Sequence, residues 1–311
     1  MTNTKPSLLE RAAEIYDFAS GLPVAPANDL PPPRVRPAAP ARPFTGAAAV
    51  AQTRPQPQPQ PQPLVAVRHR QVDLDLAALA ATGHLVGEAP SGSLAEEMRL
   101  IKRRLLTAID ARAEAGDAQA RLVLVASGQP AEGKTFMALN LALSIATEPE
   151  RSVLLIDGDS AKPELMPRLG VAEDLPGLVD SLADPQLDPE TLVLDTDVER
   201  LSLLPAGAKV RNIPELLASA RTEQVLARLR DADPRRIIIL DSSPALAAST
   251  ASVLAQQAGH TLVVVKADAT SEADLKETLD LLSVCSHLSL VLNGTALEVG
   301  GRRFGKYEEY R

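Results

Sequence analysis

One segment of the chain combines glycines, a lysine and a hydroxyl group at a spacing that suits phosphate binding. Residues 128–135 read G-Q-P-A-E-G-K-T, which is the G-x-x-x-x-G-K-T pattern of a phosphate-binding loop. The backbone N–H groups of such a loop face a phosphate, and the helix that follows adds its positive N-terminal end. We expect Lys134 to reach the β- and γ-phosphates of a nucleotide and the hydroxyl of Thr135 to ligate Mg²⁺. The expected nucleotide-binding residues are Gly128, Gln129, Pro130, Ala131, Glu132, Gly133, Lys134, Thr135 and Phe136.

Three aspartates end two apolar runs elsewhere in the chain. Asp157 and Asp159 follow the run 153–156, and Asp241 follows the run 237–240. Residues two apart at the end of a strand point to the same side, and the ligands of open α/β sheets bind beyond the carboxyl ends of the strands. We therefore expect the three carboxylates to face the phosphate loop. Oxygen ligands suit Mg²⁺, which usually keeps several waters, and the expected metal ligands are Thr135, Asp157 and Asp241.

The rest of the sequence predicts the strands and helices that must position these groups. From residue 64 onward, apolar runs of strand length alternate with helical periodicity. Several runs are continuous in Val, Ile and Leu, which is typical of strands covered on both faces. The predicted fold is therefore an α/β fold in which helices flank a mostly parallel sheet. Together with the phosphate loop, this fold resembles that of the P-loop NTPases of the partition and division ATPase type. The predicted strands are 121–126, 152–156, 201–204, 236–240, 261–266 and 288–292, and the predicted helices are 135–147, 213–231 and 271–283.

The first 63 residues have a different composition from the rest. They contain 14 of the 26 prolines, and proline alternates with glutamine from 55 to 63, a pattern that forms neither a helix nor a paired strand. Residues 7–19 place apolar side chains at helical spacing behind a capping pattern. The predicted organisation is a short amphipathic helix in 1–20, a disordered Pro-rich linker in 21–63, the P-loop domain in 64–295 and a flexible tail in 296–311.

Charge and cysteine content narrow the possible function classes. The 311 residues include 32 Lys and Arg against 40 Asp and Glu, a net charge of −8, so the chain lacks the positive excess that nucleic-acid binding requires. A single cysteine excludes an internal disulfide framework and a Cys-rich zinc site. No apolar run approaches the roughly 18 residues of a membrane span. These features predict a cytoplasmic protein that does not bind nucleic acid.

Taken together, the motifs resemble those of the bacterial tyrosine kinases with a P-loop fold, the BY-kinases. They are most similar to the cytoplasmic autokinases linked to exopolysaccharide and exosortase gene clusters, and the resemblance covers residues 72–293. In the phosphate loop, Ala131 stands where the family usually has Gly. In the second motif, both aspartates are present and Ala161 replaces a common basic residue. The third motif is Asp241-Ser242-Ser243-Pro244.

This resemblance implies an ATP-dependent protein-tyrosine autokinase that uses Mg²⁺ and regulates the synthesis, chain length or export of an exopolysaccharide. Lys134, Asp157 and Asp159 would be catalytic, and either aspartate can be the group that accepts the tyrosine proton. The tail would carry the phosphorylation sites, Tyr307 and Tyr310.

The resemblance also implies contacts outside the catalytic centre. Asn293 would lie near the adenine, and the helix with Glu96, Arg99 and Lys102 would join copies of the chain into a homo-oligomeric ring. The expected partner is a membrane-embedded polysaccharide chain-length or co-polymerase protein. Its cytoplasmic segment would recruit this chain to the inner face of the membrane.

Two other functions fit the same motifs. A positioning or partition ATPase would hydrolyse ATP without phosphorylating protein. Such ATPases carry an additional lysine five residues before the phosphate-loop lysine, where this chain has Gln129. A nucleotide-binding regulatory adaptor of a membrane polysaccharide exporter would bind ATP without turnover, although the lysine and the acids of an active site are present. Phosphate release without phosphotyrosine would indicate the ATPase, and tight binding without turnover would indicate the adaptor.

Overall fold

The structure is a computed structural model that describes residues 68–87, 90–210 and 212–295. The predicted N-terminal helix in 1–20, the linker in 21–63 and the tail in 296–311, with Tyr307 and Tyr310, lie outside these ranges. The described residues contain eight strands and nine α-helices, which largely alternate along the chain.

The eight strands are β1 (Arg70–Val72), β2 (Leu122–Ser127), β3 (Ser152–Asp157), β4 (Leu194–Thr196), β5 (Leu201–Leu204), β6 (Arg236–Asp241), β7 (His260–Lys266) and β8 (Leu288–Asn293). They form one sheet with the order β1-β4-β5-β3-β6-β2-β7-β8. Neighbouring strands run parallel except β4 and β5, which are antiparallel. The carboxyl ends of β2, β3 and β6 therefore meet at one edge near the middle of the sheet.

The nine helices are α1 (Leu76–Ala81), α2 (Ser93–Glu114), α3 (Lys134–Ala146), α4 (Leu165–Arg168), α5 (Leu178–Ala183), α6 (Ile213–Leu217), α7 (Ala220–Asp231), α8 (Thr250–Ala255) and α9 (Glu272–Leu282). A short 3₁₀ helix, Pro189–Leu192, precedes β4. Within the described ranges, no helix combines the length and the apolar character needed to cross a lipid bilayer.

The centre of the sheet is apolar on both faces, as its continuous Val, Ile and Leu runs predict. Every residue of β2 and β6 is buried. Side chains that alternate along β2 enter different clusters: Val123 and Val125 pack with α2 and α3, whereas Leu122 and Leu124 pack with α7 and α8. Burial of this kind contributes about 1.5–3 kcal/mol to the stability of the fold for each large side chain. It also fixes the pairing of the strands, and with it the positions of the residues at their ends.

The predicted α/β fold is confirmed, and all six predicted strands are present to within one residue at each end. The predicted helix 213–231 is wrong in one respect, because the chain forms two helices there. Ser219, which directly precedes α7, leaves the helical conformation with φ −78° and ψ 156°. The strands β1 and β4 were not predicted, because each has three residues and neither is fully buried.

Candidate nucleotide-binding and catalytic site

The phosphate loop joins the buried strand β2 to the helix α3, which begins at Lys134 without a side-chain cap. Two of its residues have left-handed backbone conformations, Ala131 with φ 63° and Gly133 with φ 101°. A β-carbon on residue 133 would also collide with the side-chain amide of Asn293, so this position requires glycine. Among the residues that the structure describes, the backbone N–H groups of residues 131–133 donate to no protein acceptor. These amides and the open start of α3 form a site suited to an anion.

Two strands on one side of β2 bring two of the predicted acids together. In the parallel pair β3 and β6, Asp157 lies opposite Asp241. The N–H of Gly158 donates to the backbone oxygen of Asp241 over 2.8 Å, which ties the turn after β3 to the end of β6. Asp157 is 1% exposed and Asp241 is 2% exposed, so both carboxylates are held close together and away from bulk water.

This burial changes the acidity of both groups. Burial first, and then the charge of Asp241, raise the pKa of Asp157 to about 7, although N–H groups of Asp159 and Leu165 donate to its carboxylate and oppose the shift. Burial likewise raises the pKa of Asp241 to about 6, and the charge of Lys134 and a hydrogen bond from Thr135 limit that increase. The charge of Lys134 therefore compensates this carboxyl pair only in part.

Asp159 occupies the third corner of the site. One of its carboxylate oxygens accepts hydrogen bonds from the Ser243 hydroxyl at 2.7 Å and from the N–H of Lys162 at 3.2 Å. The other oxygen lies 3.5 Å from Nζ of Lys134. The catalytic residues expected from the sequence, Lys134, Asp157 and Asp159, thus lie around one point at the carboxyl edge of the sheet.

The oxygen atoms of this site fit a small divalent cation. Oδ1 of Asp241 is buried and has no hydrogen-bond partner among the described residues, which is unfavourable unless a cation or water satisfies it. In the part of the chain that the structure describes, no group of three or more His, Cys, Asp and Glu side chains is arranged to hold a metal ion by itself. An ion here would need water and phosphate oxygens as well, which is the usual coordination of Mg²⁺.

Two further residues predicted to bind nucleotide have protein contacts of their own. Nδ2 of Asn293 donates to the backbone oxygen of Glu132 over 2.9 Å, so its side chain supports the phosphate loop. The ring of Phe136 lies 4.8 Å from the ring of His84, on the side of α3 covered by the segment after α1.

Ser243 was not singled out from the sequence as a site residue, although it belongs to the third motif. Thr270, which contacts the loop through Glu132, had no sequence signal.

The three residues predicted to mediate oligomerisation lie on α2. Glu96 and Arg99 form an ion pair with each other, and Nη2 of Arg99 also donates to the backbone oxygen of Pro90 over 2.6 Å. Lys102 is 9% exposed. Its Nζ donates to the oxygen of Ser144 at 3.0 Å and lies 2.5 Å from Oε1 of Glu148. Lys102 therefore joins α2 to the end of α3 within one chain, whereas Glu96 and Arg99 remain partly exposed.

The loop, the parallel sheet and the acids at the strand ends define a P-loop NTPase. No protein-family model matches the sequence. The chain is 30% identical over 233 residues to the protein of Ralstonia solanacearum named "Putative tyrosine-protein kinase EpsB", and the match covers 73% of this chain and 29% of EpsB. It is 28% identical over 196 residues to the tyrosine-protein kinase YwqD of Bacillus subtilis, covering 62% of this chain and 78% of YwqD.

Among solved structures, the kinase domain of VpsO is 33% identical to this chain, with a TM-score of 0.51, and the match covers 62% of this chain and 97% of that domain. The chain therefore belongs to the bacterial tyrosine kinase family, the BY-kinases. It spans only about a third of the length of the two EpsB proteins it matches, 29% and 32%.

Proposed function

We propose that this chain is an ATP-dependent protein-tyrosine autokinase. The observation that carries the proposal is the meeting of Lys134, Asp157, Asp159 and Asp241 at the open end of the phosphate loop. A P-loop alone would suit any nucleotide hydrolase. The relatives named above as tyrosine kinases favour phosphoryl transfer to protein over transfer to water.

In the proposed reaction, the chain's own residues bind and orient the substrates. Amides of the phosphate loop and Nζ of Lys134 bind the β- and γ-phosphates of ATP and stabilise the charge that spreads over the transferred group. The tyrosine oxygen forms a bond to the γ-phosphorus while the bond to the β,γ-bridging oxygen breaks, and ADP leaves. Asp157 or Asp159 accepts the tyrosine proton, because both carboxylates lie at the end of β3 and are held in place by hydrogen bonds. Asp159 also lies 3.5 Å from Nζ of Lys134.

The metal proposed for this site is Mg²⁺, held by Thr135, Asp157 and Asp241. When bound, it would neutralise phosphate charge and favour in-line transfer. The unpartnered Oδ1 of Asp241 supports this choice. Burial raises the pKa of the Asp241 carboxyl group, and a neighbouring cation would stabilise its ionised form. Asn293 and Phe136 complete the proposed nucleotide site, Asn293 through its contact with the loop.

The proposed substrates are Tyr307 and Tyr310 of the tail, presented by another copy of the chain. Glu96 and Arg99 on the partly exposed face of α2 are the proposed contacts between copies, supported by Lys102 from within the subunit. The proposed role is the regulation of exopolysaccharide synthesis, chain length or export. The proposed partner is the cytoplasmic segment of a membrane-embedded polysaccharide co-polymerase, which would hold this chain at the inner face of the membrane.

Mass spectrometry of the purified full chain after incubation with Mg-ATP tests this proposal. Phosphotyrosine at residues 307 or 310 is expected in the wild type, and EDTA or Lys134→Met is expected to abolish it. Lys276→Met is the matched control, because Lys276 lies exposed on α9, and it should retain full activity. Release of phosphate without phosphotyrosine would instead favour a positioning ATPase. Binding of ATP without any turnover would favour a regulatory adaptor.

A further inference from the structure

Glu132 is an acid inside the loop that is proposed to bind the phosphates of ATP. It is 4% exposed, so its charge is poorly screened by solvent. A carboxylate at such a position opposes the binding of phosphate unless it contributes something else to the loop. The contacts of Glu132 show what that contribution is.

Both carboxylate oxygens of Glu132 accept hydrogen bonds. Oε2 accepts from the N–H of Gln129, earlier in the same loop, over 2.8 Å. Oε1 accepts from the hydroxyl of Thr270, which lies in the segment between β7 and α9. One side chain therefore joins the two halves of the phosphate loop to each other and fastens the loop to a distant part of the chain.

The segment after β7 is itself held firmly in place. The hydroxyl of Thr270 accepts from the N–H of Lys266 over 2.9 Å, so it acts as donor to Glu132 and acceptor from β7 at the same time. Nζ of Lys266 donates to the backbone oxygen of Ala131 over 3.4 Å. The N–H of Ala267 donates to the oxygen of Asn293 at the end of β8 over 2.9 Å. The ends of β7 and β8 thus form a fixed support for the loop.

The loop needs this support because of its backbone conformation. Glu132 lies between Ala131 and Gly133, which have φ values of 63° and 101°. A left-handed alanine is sterically unfavourable, so the observed curvature is maintained by contacts with its surroundings. The same curvature leaves the amides of residues 131–133 without protein acceptors among the described residues.

We propose that Glu132 is a positioning residue that holds the phosphate loop in its nucleotide-binding shape, and that the Thr270 hydroxyl is the partner that makes this possible. The inference rests on the proposed nucleotide-binding function and assigns a role to a pair of residues outside the reacting groups. The expected consequence is a selective effect on nucleotide affinity, because the polar atoms of both side chains are engaged in hydrogen bonds within the protein.

Three variants of the full chain test the proposal by calorimetric titration with Mg-ADP. Thr270→Val removes the hydroxyl at nearly constant volume and is expected to raise the Kd for Mg-ADP about three- to tenfold, the effect of one hydrogen bond. Glu132→Ala is expected to raise it about tenfold or more. Thr270→Ser keeps the hydroxyl at this position and should remain within about twofold of the wild type.

Further measurements separate positioning from a general loss of structure. If Glu132 and Thr270 act through one hydrogen bond, the double variant Glu132→Ala/Thr270→Val should bind Mg-ADP no more weakly than Glu132→Ala alone. In the kinase assay, Thr270→Val should raise the KM for ATP and leave kcat within about twofold. An unchanged Kd in Thr270→Val, or an equal loss in Thr270→Ser, would overturn the proposal. Mg-ADP binding by a wild type that makes no phosphotyrosine would count against the kinase function alone, and the Kd comparison would still decide the role of Glu132.

Discussion

Asp157 and Asp241 occupy opposite positions on the neighbouring parallel strands β3 and β6, so two carboxylates end side by side at the edge of the sheet. Both are nearly inaccessible to solvent. Burial raises the pKa of Asp157 to about 7 and that of Asp241 to about 6. The folded protein therefore disfavours the ionised forms that a metal site would use, and a bound cation would offset this cost. The site is arranged for function at the expense of stability in the metal-free state.

Replacing Asp241 by Asn should stabilise the metal-free protein at pH 8 but much less at pH 5. The folded state binds the Asp241 proton more tightly than the unfolded state, because the pKa rises from 3.8 to about 6 on folding. The carboxyl group therefore favours folding fully below pH 4, and this contribution is lost as the pH rises through 6. The gain from Asn should grow by on the order of 1–2 kcal/mol between pH 5 and pH 8.

Urea unfolding of the wild type and the variant at the two pH values, in EDTA, measures this difference. Asp280→Asn, on the exposed side of α9, is the control and should show the same small effect at both values. Comparing variant with wild type removes the contributions of the histidines, such as His260, whose pKa is lowered to about 4 mainly by burial. A gain that does not depend on pH would contradict the assignment.

Replacing Ala131 by Gly should stabilise the protein, although glycine usually does the opposite. Ala131 has a left-handed backbone with φ 63°, which costs an alanine about 1–2 kcal/mol and glycine almost nothing. Since glycine also makes the unfolded chain more flexible, the net gain should be about 0.5–1 kcal/mol in the free energy of unfolding. Ala142→Gly, inside α3, is the contrasting control and should lose about 1 kcal/mol or more. A loss of stability in Ala131→Gly would show that position 131 is not strained.

The phosphate loop and the aspartates were predictable because each is encoded by a short contiguous pattern. The glycine and lysine spacing identifies the phosphate loop, and two apolar runs end at Asp157 and Asp241. Because the strands are parallel, their carboxyl ends, and therefore the loop and the two aspartates, lie near one another. The partner of Glu132 was not predictable, because Thr270 lies 138 positions along the chain. Only the packing of β7 beside β2 brings the two together.

Lys102 is a second residue whose contacts could not be predicted from the sequence. The family resemblance implies an interface at the charged residues of α2, and the sequence gives no sign that one of them is buried. The contact of Nζ with Ser144 and Glu148 depends on how α2 crosses α3. The short edge strands β1 and β4 were also missed, since three residues carry too little periodicity to be distinguished from a loop.

Replacing Glu190 by Gln should strongly destabilise the fold at a distance from the active site. Glu190 and Arg236 form a buried ion pair in which two guanidinium nitrogens each lie 2.8 Å from a carboxylate oxygen. Removing one charge leaves the other buried without compensation, which typically costs about 3–5 kcal/mol. Chemical denaturation measures the loss. Arg228→Met is the matched control: its pair with Asp188 is partly exposed, and the loss there should stay below about 1 kcal/mol. Equal losses in the two variants would contradict the prediction.

Replacing Ser243 by Ala should slow the proposed phosphoryl transfer without weakening ATP binding. The hydroxyl of Ser243 donates to Oδ1 of Asp159 over 2.7 Å, while Oδ2 of the same carboxylate lies 3.5 Å from Nζ of Lys134. Without the hydroxyl, one hydrogen bond that fixes the orientation of the Asp159 carboxylate is lost. The carboxylate would then be less often in position to accept the tyrosine proton. The loss of one hydrogen bond to a charged group should lower kcat about tenfold or more.

Steady-state phosphorylation of the tail, measured against ATP concentration, separates the two parameters. The KM for ATP should stay within about twofold of the wild type, because the amides of the phosphate loop are unaffected. Ser243→Thr retains the hydroxyl and should recover most of kcat. Ser242→Ala is the control, since the hydroxyl of Ser242 donates instead to the backbone oxygen of Val125 over 3.0 Å. If Ser243→Ala kept full kcat, Asp159 would not depend on Ser243 for its orientation, and Asp157 would become the stronger candidate for the group that accepts the tyrosine proton.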